Sequence, residues 1–170
     1  MRSRTTEAAV LTALAVALGM LLSAIPNLEA VSAVSFFSGF LLGWRGGGLV
    51  GGISMMILSL MNPLGPAPPP VLMAQIAGMA SVGACGHLWR KLAVRYGKPG
   101  LLAIALGCVL TLLYDLVTNY GVAVSIGRWQ DPLPVIISGA PLSVLHIASN
   151  GMIFGGTGTL MMRKHARKET

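Results

Sequence analysis

Residues 101–120 read LLAIALGCVLTLLYDLVTNY, an apolar run broken by a single charge at Asp115. A helix that crosses the hydrocarbon core of a bilayer needs about 20 predominantly apolar residues, and this stretch has that length. Its one exception is informative. A carboxylate at the centre of a spanning helix costs roughly 2.5–3.5 kcal/mol on insertion scales, so such residues face protein or a wet cavity rather than lipid.

The rest of the chain repeats the pattern. Hydrophobic residues make up 54% and charged residues 10%, with a mean hydropathy of +0.75. Soluble domains carry roughly a quarter charged residues, so a small soluble enzyme and a disordered tail are both excluded. Proline, glycine and charge clusters cut the 170 residues into six apolar segments: 8–25, 28–43, 47–61, 71–89, 101–120 and 137–162. The reading predicts an all-α integral membrane protein, a single membrane domain over residues 1–170 with six transmembrane helices. Arg2 and Arg4 precede the first segment as they would in a signal peptide. Its apolar run is longer than the usual 7–15 residues, however, and no small-x-small cleavage site follows. It is read as a retained helix.

The net charge is +7, with 12 Lys and Arg residues. With the N-terminus inside, every one of these except Arg128 falls in an inner segment: Arg2 and Arg4; Arg45; Arg90, Lys91, Arg95 and Lys98; Arg163, Lys164, Arg167 and Lys168. Basic residues favour the cytoplasmic side, so both termini are expected there, in the cell membrane. The same placement accounts for the basic charge without nucleic acid. Cys85 and Cys108 lie inside apolar runs without metal-ligand or redox spacing, and no metal or cofactor is expected. The chain contains no G-x-x-x-x-G-K-[ST] phosphate loop, no H-E-x-x-H and no G-x-S-x-G, the signatures of several common catalytic sites. Its halves show no internal repeat of the kind secondary transporters carry.

Polar residues within the spans mark the candidate site. Asn119 lies four residues after Asp115, and Asn150 four after His146, so each pair shares a helix face. Gln75 lies in the outer part of the fourth segment, and Asn27 and Glu29 border the second at its outer end. At about 1.5 Å per residue, Asp115 and His146 reach the same level in the outer half of a core about 30 Å thick. Two overlapping readings follow. The pair can pin two helices together, or it can line a polar pocket open to the outside. Tyr114, Tyr120 and Trp129 fit an outer aromatic belt, and His87 an inner interface. The outer segment 62–70 is too rich in proline to be helical.

Small residues form rows. Gly43, Gly47 and Gly51, and Gly151 with Gly155, are read as internal packing. Ala9, Ala13 and Ala17 make a smooth stripe for close helix approach, whose partner can lie in this chain or in another.

Several short stretches then combine: Pro26-Asn27-Leu28-Glu29, Gly43-Trp44-Arg45-Gly46-Gly47, Asn62-Pro63-Leu64-Gly65, Ala74-Gln75, and Tyr114-Asp115-Leu116-Val117-Thr118-Asn119. In this order, with the spans and the alanine stripe, the chain resembles the substrate-binding S component of energy-coupling factor (ECF) vitamin transporters over nearly its whole length. The resemblance implies a high-affinity capture subunit, itself not an enzyme. It would bind a vitamin in the outer half of the membrane, then join a transmembrane T component and two ABC ATPases and topple to release the ligand inside. It implies ligand contacts from Asn27, Glu29, Asn62, Gln75, Asp115, Asn119, His146 and Asn150, and T-component contacts from Ala9, Ala13 and Ala17. That family takes riboflavin, thiamine, biotin, folate, pantothenate, cobalamin and others, and these residues do not select one. The aliphatic, amide-lined outer half suits a large or neutral ligand such as a corrinoid, or pantothenate. The competing classes are a small membrane scaffold without a ligand and an intramembrane enzyme using Asp115 and His146.

Overall fold

The structure is a computed structural model that describes residues 3–23, 29–63 and 65–169, with side chains through Arg163. Among the described residues five helices follow one another: α1 Arg4–Leu22, α2 Val31–Leu60, α3 Pro69–Tyr96, α4 Pro99–Ser125 and α5 Leu133–Glu169. All five are long and apolar enough to cross a membrane. The protein is therefore an all-α, multi-pass membrane protein, and the expected count of six helices is corrected to five. Segments 28–43 and 47–61, read as separate spans, belong to the single element α2.

The reason lies at Gly43. Its φ of 84° and ψ of 175° fall in a region essentially restricted to glycine, and the helix resumes at once on either side. In a straight helix, Gly39 and Gly47 would stand about 12 Å apart. Instead, a Cβ on Gly47 would lie 2.5 Å from Gly39 Cα. Gly19 of α1 likewise faces both Val31 and Leu58, from opposite ends of α2. One glycine thus doubles α2 back on itself, where the sequence reading had allowed a connecting loop.

Other boundaries moved for similar reasons. The reading stopped the fourth segment at Trp89, before the cluster of cations, but helix α3 continues through Arg90, Lys91 and Arg95. It ends at Gly97, in the left-handed conformation with φ 65°, and Pro99 starts α4 at once. Cations end the hydrocarbon-embedded part of a helix without ending its hydrogen bonds. Helix α5 similarly starts before residue 137 and passes through Pro141.

Helices α2 and α3 meet backbone to backbone. A Cβ on Gly86 would run into the Phe36 carbonyl oxygen, one on Gly83 into that of Gly47, and one on Gly51 into that of Met79. Small residues permit this approach, which membrane helices need because lipid supplies no hydrophobic drive between them. Along the antiparallel α4–α5 pair, Gly107 lies against Phe154, Gly151 against Cys108 and Gly155 against Ile104. Gly47, Gly51, Gly151 and Gly155 therefore serve internal packing, whereas Gly43, read as part of the first row, meets nothing within 4 Å and makes the turn instead. Helix α1 packs on α2 alone among the helices, and only Ala15 of α1 is buried. Outward faces are mainly apolar, with Leu112, Leu113, Leu116 and Val117 of α4 all exposed, as suits a lipid-facing surface.

Candidate functional site

Every phenylalanine of the chain gathers in one cluster. Phe36, Phe37 and Phe40 of α2 pack around Trp89 of α3, and Phe154 of α5 packs on Phe36 and Phe37, with ring centroids 4.8–6.1 Å apart. Trp89 also donates its indole N–H to the Pro99 carbonyl at 3.1 Å, which ties the end of α3 to the start of α4. This aromatic block forms a buried apolar floor. Going back along α5 from Phe154 by about 12 Å brings the chain to His146 and a polar layer.

His146 is 3% exposed and Asp115 8%. The imidazole Nδ1 and Asp115 Oδ1 are 2.8 Å apart. A carboxylate can only accept, so Nδ1 carries the proton and donates it. On the other side of the ring, Nε2 lies 3.7 Å from Glu29 Oε2, too far for a hydrogen bond. Ser32 donates to that same Glu29 oxygen at 3.4 Å. His146 therefore stands between two carboxylates, one from the segment entering α2 and one from α4. Tyr114 packs edge-on to the imidazole at 6.1 Å.

One turn deeper, the antiparallel register brings Thr111 opposite Asn150, whose amide donates to the Thr111 hydroxyl at 3.0 Å. Both residues are buried. The cluster is incompletely satisfied: Asp115 Oδ2, His146 Nε2 and Asn150 Oδ1 are buried without a hydrogen-bond partner. Buried polar atoms in folded proteins are nearly always paired; these three lie within two turns of one helix pair, and Ser35 Oγ, Ser54 Oγ and His87 Nδ1 are unpaired elsewhere.

Of the expected site residues, Glu29, Asp115 and His146 come together, with Asn150 one turn below. Asn119 lies at the α4–α5 contact, its amide against Gly139. Gln75 accepts from Ser59 at 2.8 Å, a separate link between α2 and α3. Asn62 is exposed just after α2, and Asn27 lies outside the described residues. Tyr114 does not belong to an outer belt. It is 7% exposed, lies against Gly78 and reaches Met55 Sδ with its hydroxyl, whereas Tyr120 and Trp129 are exposed. Thr111, Ser32 and Ser59 were missed. The spacing offered a signal for the first, since Thr111 precedes Asp115 by four residues just as Asn150 follows His146 by four. Among the described residues no group of three or more His, Cys, Asp or Glu side chains could hold a metal ion.

Among the described residues, two of the surface grooves of the bundle are lined by residues other than the polar cluster. A groove of about 930 Å³ runs along α1 and the second arm of α2, lined by Ala9, Ala13, Ala17, Leu49 and Ile53 among others. Ala9, Ala13 and Ala17 are all exposed. The second groove, about 430 Å³, lies between α4 and α5 around Cys108 and Ile147.

No curated protein and no solved structure matches the chain. The model of one family, described as ECF transporter, substrate-specific component, matches residues 3–161. Proteins of that family are substrate-binding subunits without catalytic activity. The match covers nearly all of the chain, and the helical membrane fold agrees with it: the chain belongs to the ECF transporter family of substrate-specific components.

Proposed function

We propose that the protein captures a vitamin or related micronutrient from the outer side of the cell membrane, using the polar layer of Glu29, Asp115 and His146, and delivers it through a T component and an ATPase pair. The observation that carries this reading is the set of unpaired buried atoms on Asp115, His146 and Asn150. A purely structural pin would spend its hydrogen bonds internally, because each orphaned group costs about 1–3 kcal/mol. A ligand that satisfies them recovers that cost on binding. The aromatic block beneath would keep the ligand from leaking inward before the complex assembles.

Both termini would lie in the cytoplasm. The doubling of α2 at Gly43 and the confinement of basic residues to the segments named above support that orientation. Membership of the ECF family implies association with a T component and ATPases in general terms. The exposed alanine stripe of α1 would be the contact, since α1 buries so little against its own chain.

Reconstitution tests the role. Vesicles holding this chain with a T component and ATPases, offered a vitamin library, should accumulate one member in an ATP-dependent manner. Vesicles lacking this chain should not. Uptake that proceeds equally without it would refute the capture role.

A further inference from the structure

We propose, building on that capture role, that the group the ligand presents to Glu29, His146 and Asp115 is a hydrogen-bond donor, such as an amine, amide, amino-heterocycle or hydroxyl, and not a carboxylate or phosphate. The hydrogen-bond bookkeeping of the site leads there. The donors closest to the two carboxylates are engaged: His146 Nδ1–H on Asp115, the Ser32 hydroxyl on Glu29, the Thr118 hydroxyl on the carbonyls of Tyr114 and Asp115, and the Tyr114 hydroxyl on Met55; one turn deeper the Asn150 amide donates to Thr111, whose own O–H stays available. The unpaired buried atoms of Asp115, His146 and Asn150 are acceptors, while the unpaired hydroxyls, Ser35 and Ser54, belong to α2. Asp115 Oδ2 and Asn150 Oδ1 can only accept, and so can His146 Nε2 while the proton sits on Nδ1. Glu29 Oε2 stands 3.7 Å from Nε2, beyond hydrogen-bond distance, a gap that a ligand N–H or O–H would bridge.

Charge points the same way. Two carboxylates flank one imidazole, and even a doubly protonated ring would leave the cluster net negative. A ligand anion there would need a compensating cation. Arg4 and Arg45 line the groove at the opposite end of the bundle, and Arg90 reaches back to the Phe40 carbonyl. Arg128, in the connection from α4 to α5, is exposed. No Lys or Arg side chain contacts Glu29, Asp115 or His146 among the described residues. Burying an anion beside unpaired acceptors of like charge carries a penalty that the site has no means to offset.

The test uses the full-length protein in detergent. Calorimetric titrations compare thiamine (cationic, with an amino-heterocycle), riboflavin (uncharged, with hydroxyl and imide donors) and cyanocobalamin (amide-rich) against biotin and pantothenate, which end in carboxylates. Native mass spectrometry in parallel identifies any molecule retained from rich medium. The proposal expects the bound species to be a donor-bearing, uncharged or cationic molecule. Glu29→Gln and Asp115→Asn should each weaken it about 10- to 100-fold, while Arg128→Ala leaves it unchanged. Glu29 is partly exposed, so its variant should fold even if the Asp115 variant does not. Tight binding of biotin or pantothenate that is lost on amidating the carboxylate, or in Arg128→Ala, would overturn the donor requirement and leave the capture role standing. Binding of none of the probes, with no molecule retained, would bring down both.

Discussion

Replacing Asp115 by Asn separates holding helices from holding a ligand, because the two oxygens of this carboxylate have different duties. Oδ1 accepts from His146 at 2.8 Å, and Oδ2 is buried and unpaired. Asn keeps a carbonyl oxygen that can occupy the Oδ1 position, so the link to His146 survives as a neutral hydrogen bond. Charge-assisted bonds contribute about 1.5–3 kcal/mol and neutral ones about 0.5–1.5, and interhelical bonds in membranes average nearer 0.6. The expected loss of stability is thus about 1 kcal/mol, a fall of roughly 2–4 °C in melting temperature for a chain of this size. At the Oδ2 position an acceptor becomes an N–H donor. A donating ligand group loses a charge-assisted bond and meets a like group, so affinity should fall about 10- to 100-fold or more. Thermal unfolding followed by tryptophan fluorescence and a binding isotherm on the same preparation give both numbers. A large drop in melting temperature with unchanged affinity would refute the reasoning and leave Asp115 as a helix pin.

Three further expectations concern the scaffold and the docking face. Ala13→Trp places a bulky ring on an exposed stripe, so the isolated protein should fold and bind ligand normally while ATP-dependent uptake by the complex collapses; preserved uptake would remove the stripe from the docking role. Gly86→Ala drives a methyl into the Phe36 carbonyl, whereas Gly156→Ala meets nothing within 4 Å; the first should cost at least about 1–3 kcal/mol and most of the monodisperse yield, the second neither. Gly43→Ala also meets no atom within 4 Å, yet its backbone conformation should cost about 1–3 kcal/mol; a melting temperature equal to the parent's would show that α2 does not need that turn.

The helices were legible because lipid imposes a simple rule, a long apolar run, and α4 obeys it most plainly. Their ends were less so. Charge marks where a helix leaves the hydrocarbon, but Gly97 and Pro99 mark where its backbone stops, and these differ by several residues in α3. At Gly43 the apolar pattern showed a break without revealing that one residue sufficed for it, so one folded-back element was counted as two. Within the site, the four-residue spacing of Asp115 with Asn119 and of His146 with Asn150, together with their matched depth, brought the right helices to one level. Partners contributed by small hydroxyls, Thr111 to Asn150 and Ser59 to Gln75, leave little trace because Ser and Thr are common in membrane helices. Nor could sequence show that Tyr114 turns inward, since that depends on the space Gly78 leaves on α3.

The account rests on the polar layer of Glu29, Asp115 and His146 being a ligand site, and native mass spectrometry of the intact protein purified from rich medium tests this most directly. The expected spectrum shows the chain carrying one small molecule, retained through gentle desolvation and lost from the Asp115→Asn variant purified in the same way. A spectrum of empty protein, reproduced after soaking with a vitamin library, would contradict the central claim.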